Sequence, residues 1–82
     1  MEKDQKFLSE LISMLVNNPK DIKVERLVNE RGVLLTIDAN PEDLGILIGR
    51  EGRNMEAIRH LIRTFGLKNK AYVSVKLNQP EK

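Results

Sequence analysis

Gly49 and Gly52 enclose Arg50 and Glu51, and this stretch is where residue types and spacing point to chemistry. Glycines at both ends let the backbone turn tightly and remove the side chains that would keep a phosphate from main-chain N–H groups. A helix beginning near Gly52 adds free N–H groups and the positive end of its dipole, which attract an anion without any particular side chain. Arg50 and Arg53 place full charges beside the turn, and Arg59 and Arg63 continue the positive face along the helix, on the side away from its apolar stripe. Glu51 and Glu56 offset them in part. The chemistry indicated is the gripping of an anionic backbone. Spacing alone does not establish it, since ~0.4 such glycine pairs arise by chance in a chain of this length; an αα-turn with solvating arginines is the competing reading.

Other chemistries are excluded by pattern. Gly45, Gly49 and Gly52 do not form G-x-G-x-x-G, and the turn joins helix to helix, which argues against a dinucleotide site; no Gly-Lys-Ser/Thr follows, which argues against a P-loop. No nucleophile–base pair or carboxylate dyad emerges, so catalysis is not expected. With no cysteine and a single histidine, His60, neither a metal site nor any cofactor is expected. The aromatics are Phe7, Phe65 and Tyr72. The two phenylalanines lie on apolar stripes, leaving no stacking platform of the RRM or OB kind. Tyr72 either stacks a base or covers an exposed sheet face or interface with its hydroxyl in water.

The chain has 82 residues, the size of one small domain, which buries only roughly 60% of its surface. Its net charge of +2 is unevenly spread: residues 1–49 carry 6 Lys and Arg against 9 Asp and Glu, and residues 50–82 carry 8 against 3. The basic part begins at Arg50. No apolar run reaches the ~18 residues of a membrane span, and a soluble, cytoplasmic chain is expected.

The positioning elements follow from periodicity. Phe7, Leu8, Leu11, Ile12, Leu15 and Val16 predict a helix over 4–16, stopped before Pro19. Ile22 and Val24 alternate with polar residues, and the adjacent Leu27 and Val28 break the alternation, predicting a strand over 21–29 with a bulge or irregularity. Asn29 to Gly32 forms a turn, and Val33, Leu35, Ile37 and Ala39 share one face of a second strand, completing a hairpin. Asn40, Pro41, Glu42 and Asp43 supply a cap, a first-position proline and two acids for a short helix carrying Leu44, Leu47 and Ile48 inward. Beyond the glycines, Ile58, Leu61, Ile62 and Phe65 mark another helix, with Gly66 as its stop, and Ala71, Val73, Val75 and Leu77 a last strand. The order is α-β-β-α-α-β, an α+β fold with three helices on one face of a three-stranded sheet. The sheet is mixed: the hairpin is antiparallel, and the crossover makes the last strand parallel to 33–39 if the two are neighbours. Residues 1–77 make one domain, and 78–82 read as a polar tail.

Ile48, Gly49, Arg50, Glu51 and Gly52 resemble the Ile-Gly-x-x-Gly mark of the KH family. The element order is similar to its bacterial type II arrangement, and Pro41, Glu42, Asp43, Leu44, Gly45, Ile48 and Gly49 resemble the small single-domain bacterial KH proteins of the KhpA family. The likeness covers nearly the whole chain and is most specific over Asn40–Arg53. It implies a non-enzymatic protein, of the RNA-chaperone or post-transcriptional-regulator type, that clamps about four nucleotides of single-stranded RNA. A homodimer, or a heteromer with a second KH protein of the Jag type, is implied as partner. By position, the resemblance implies RNA contacts at Ile48, Gly49, Arg50, Glu51, Gly52 and Arg53, with Arg59 beside them. It also implies a base-facing lining from Leu44, Ile46, Leu47 and 33–39, although core packing is the stronger reading for Leu47. Glu51 departs mildly from such a loop, since an acid weakens its field. A protein-interaction or ribosome-associated module on the same scaffold is the alternative.

Overall fold

The computed structural model describes residues 2–79. Three strands, β1 (Lys23–Asn29), β2 (Gly32–Asp38) and β3 (Val73–Leu77), form one sheet in the order β1-β2-β3. β1 pairs antiparallel with β2, and β2 pairs parallel with β3. Three helices accompany them: α1 (Lys3–Ser13), α2 (Leu44–Ile48) and α3 (Arg53–Lys68). The order and the mixed sheet are those expected. The alternation along β2 and β3 puts Val33, Leu35, Ile37, Val73, Val75 and Leu77 on one buried face, against Leu8 and Ile12 of α1, Leu47 of α2, and Met55, Ile58 and Ile62 of α3. Phe7 and Phe65 join α1 to α3, with ring centroids 5.2 Å apart. Among the described residues, no helix covers the other face of the sheet.

Several boundaries differ from the periodicity. α1 ends at Ser13 rather than at residue 16; Leu15 is 45% exposed, and Val16 reaches the core from the segment beyond the helix. Pro19–Asp21 forms a single 3-10 turn, so β1 begins at Lys23. No bulge occurs: the register runs unbroken from Lys23 opposite Asp38 to Asn29 opposite Gly32. Leu27 and Val28 lie on opposite faces, yet each is 59% exposed. The cause is helix cover rather than strand geometry. Asp4, in the first turn of α1, pairs with Arg26 at 3.0 Å, so the helix stops at that level and Val28 lies beyond it.

Gly66 is not a helix stop. It is buried inside α3, where a Cβ would come within 2.7 Å of Val73 Cγ2 and 2.9 Å of the Ala71 carbonyl, so its absence brings α3 against the start of β3. The helix runs on to Lys68. Just past β3, the Asn78 N–H donates to the Ile37 carbonyl at 2.9 Å, and its side-chain amide to Asp38 Oδ1 at 2.7 Å. Residues 80–82 lie outside the described residues.

Candidate nucleic-acid interface

α2 opens as anticipated through Asn40, whose side-chain oxygen accepts the Glu42 N–H at 2.9 Å, although Pro41–Asp43 forms a 3-10 turn and α2 proper begins at Leu44. It closes at Gly49, whose N–H donates to the Gly45 carbonyl at 2.9 Å and whose φ of 74° is the left-handed region that favours glycine. A Cβ there would also lie 2.5 Å from Asn54 Cγ. Asn54 in turn donates its amide to the Ile46 carbonyl at 2.7 Å, tying the first turn of α3 back to α2 across the loop. The clamp has one signal in the sequence, a polar side chain shortly after a glycine turn.

Gly52 differs from Gly49. Its φ is 77°, but nothing stands within 4 Å of where its Cβ would be. The outer face of the loop is bare at that point, and α3 begins at Arg53 with no side chain capping it. Between the glycines, Glu51 is itself left-handed, with φ 57° and ψ 26°. A non-glycine residue in this region costs energy that the surrounding structure must supply. Here Gly52 donates back to the Gly49 carbonyl at 3.2 Å and Arg53 to the Arg50 carbonyl, closing the turn.

Arg50 is exposed and takes part in no ion pair among the described residues. Arg53 stands 3.7 Å from Glu51, with both side chains 76% exposed, a pair worth little in water and easily exchanged for another anion. Arg59 is not turned away from the core as the helical stripe implied. Its Nε donates to the Val75 carbonyl at 3.3 Å, which places it against the free edge of β3. Arg63 follows one turn further along α3 and is exposed.

The apolar neighbours divide. Leu47 is fully buried, as are Leu35 and Ile37, with Val33 nearly so; these form the core and have no free surface to line a groove. Leu44 and Ile48 are half-buried and pack against the core. Ile46 is half-buried and faces a groove of about 180 Å³, shared with Leu11 and Leu15, with Asn54, and with Ala57, Ile58 and Leu61 of α3. The groove adjoins the glycine loop, and its walls are almost wholly apolar.

Asp43, assigned by sequence to the helix start, has a second and larger task. It is fully buried and accepts from the Asn17 N–H at 3.1 Å, the Asn18 N–H at 3.0 Å and the Asn18 side-chain amide at 3.1 Å. Burial by itself pushes its carboxyl up, but these donors outweigh burial and hold it below the ordinary aspartate value. The base of α2 is thereby bolted to the segment after α1. Among the described residues no cluster of three His, Cys, Asp or Glu side chains could hold a metal ion. No helix among them is long and apolar enough to cross a membrane.

A glycine-bounded turn between two helices, laid between the parallel strands of a three-stranded mixed sheet, defines a KH-type domain. The family described as "KhpA/KhpB, KH domain" matches residues 5–77, and the chain belongs to it. Similar proteins include the "RNA-binding protein KhpA" of Clostridium perfringens, 34% identical over 73 residues, which cover 88% of this chain and 97% of the relative. Those of Leifsonia xyli, 40% identical over 67% of this chain and 72% of the relative, and of Caldanaerobacter subterraneus, 35% identical over 77% and 84%, carry the same name. No solved structure is significantly similar to the chain.

Proposed function

We propose that this protein binds single-stranded RNA without catalysing a reaction, clamping about four nucleotides by their backbone at the Gly49–Gly52 loop. The observation that carries this reading is the bare outer face at Gly52, set between Arg50, which forms no ion pair among the described residues, and the loosely paired Arg53 at the start of α3. Phosphate reaches main-chain N–H groups there, and the arginines supply long-range attraction. Ile48 fixes the loop to the core, and Ile46 and Leu44 give the apolar border. Arg59 holds the edge of β3 and extends the positive side, while Glu51 tempers the field. The relatives' name, RNA-binding protein, supports the assignment. A cytoplasmic role as an RNA chaperone or post-transcriptional regulator fits a small non-catalytic binder of backbone, with 1–77 as its single domain.

The apolar groove between α1, α2 and α3 favours a further role for the same scaffold, association with a second KH domain, either another copy or a Jag-type partner. Leu15, at 45% exposure, and Leu61, at 47%, are on its rim and would be covered in such an assembly.

The RNA reading is tested by titrating a fluorescently labelled single-stranded oligoribonucleotide at several salt concentrations. With two to four phosphates neutralised at about −0.7 each, log K should fall against log salt with a slope of about −1.4 to −2.8. Absence of binding, or affinity indifferent to salt, would refute it.

A further inference from the structure

The helix-free face of the sheet holds a second set of groups suited to a nucleotide. Tyr72 is 62% exposed and, alternating with the buried Val73, turns to that face. Its backbone is fixed, since its carbonyl accepts the Val33 N–H at 2.8 Å. Beside it lies Gly32, at φ 129°, where a Cβ would overlap the Tyr72 carbonyl oxygen and stand 3.0 Å from Tyr72 Cβ. Glycine thus lets β2 and the start of β3 approach closely there, beside a shallow hollow of about 110 Å³ that Gly32 lines with Asn29, Arg31, Val33, Leu34 and Ser74. Arg31 is in no ion pair among the described residues, and its N–H is held by Asn29 Oδ1 at 2.8 Å in the hairpin turn. Glu30 is the nearest acid in sequence.

The charge pattern says which occupant suits this hollow. α3 runs away from the glycine loop for 16 residues, about 24 Å, and ends where β3 begins, so Tyr72 stands at the far end of the molecule from Gly52. Arg59, against the edge of β3, then Arg63 a turn further on, then Lys70 just before Tyr72, join the two places with cations that form no ion pair among the described residues. Glu56 is the only acid within α3. An exposed ring, an arginine in the hairpin turn just before Gly32 and a cationic approach are the parts by which proteins hold a base and its phosphate.

We propose that Tyr72 and Arg31 form a second RNA contact, in which one base of the strand clamped at the loop stacks on the Tyr72 ring and a flanking phosphate meets Arg31. The proposal rests on the RNA reading above and lengthens the site beyond four nucleotides.

Tyr72 is the only tyrosine and there is no tryptophan, so the chain's intrinsic tyrosine fluorescence reports this one ring. The full chain is titrated with RNAs of about four and about twelve nucleotides. The longer RNA should quench Tyr72 and lose about tenfold in affinity in Tyr72→Ala, with Tyr72→Phe restoring it and Arg31→Ala weakening it; the shorter RNA should do none of these. If the longer RNA binds but leaves the fluorescence and the Tyr72→Ala affinity unchanged, the second contact is wrong and the loop assignment stands. If neither RNA binds, both fall.

Discussion

Asp43 and Glu51 stand at the two ends of the same short helix and show how differently one chemical group is used. Asp43 is fully buried with three donors upon it, whereas Glu51 is 76% exposed, in a left-handed backbone, with one loose contact to Arg53. The contrast extends to their surroundings. On the side of α1 and β1, charged groups are consumed by the fold: Asp4 is taken by Arg26, and the Gln5 amide donates to the Val24 carbonyl at 2.7 Å. On the side of the glycine loop they are left for solvent or for a ligand. The first region ties the base of α2 to the segment after α1, and the second presents a bare turn flanked by arginines.

Removing Asp43 should have the largest effect and should separate the two regions. Asp43→Ala removes the buried carboxylate that accepts from Asn17 and Asn18, leaves a cavity in its place, and should lower the thermal midpoint by on the order of 10 °C, measured by circular dichroism. RNA affinity below the transition should follow only the folded fraction. Acid probes the same group without a mutation. Because the folded carboxyl titrates below the unfolded one, its contribution is complete above the ordinary aspartate value and is lost as pH falls through the folded value. The midpoint should therefore drop below about pH 4 in the native chain and drop less in Asp43→Ala.

The smallest effect belongs to Glu51. Glu51→Gln removes the negative charge within the loop and frees Arg53, so RNA affinity should rise by a few fold at low salt. Stability should change by less than about 0.5 kcal/mol, since an exposed pair at 3.7 Å contributes little. A fall in affinity would show that Glu51 contacts RNA directly and would blur the distinction between the two acids.

The difference between these regions also marks what sequence could reveal. The hairpin, the Asn40 cap, the two helices meeting at glycines and the parallel last strand all depend on neighbours in the chain, and periodicity and turn chemistry anticipated them. The Asp43 anchor depends on residues some 25 positions earlier, and the Asp4–Arg26 pair on an approach of α1 to β1. No local pattern encodes either. Gly66 follows the same rule: a helix stop would be a local feature, whereas this glycine serves a close approach between α3 and the start of β3. A stripe drawn through Ile58, Leu61, Ile62 and Phe65 puts Arg59 on the far side of the helix, whereas burial concentrates on Met55, Ile58 and Ile62 and leaves Arg59 against the edge of β3. The bareness of Gly52 and the crowding of Gly49 could not be told apart from the letters alone.

The most direct test replaces Arg50 and Glu51 together with aspartate, between glycines that are left in place. Aspartate tolerates the left-handed backbone at position 51, and neither side chain is buried, so the melting midpoint should stay within about 4 °C of the native chain. Measured on the same preparation, binding to single-stranded RNA should be abolished. A double variant that folds normally and binds RNA as tightly as the native chain would contradict the assignment of the loop.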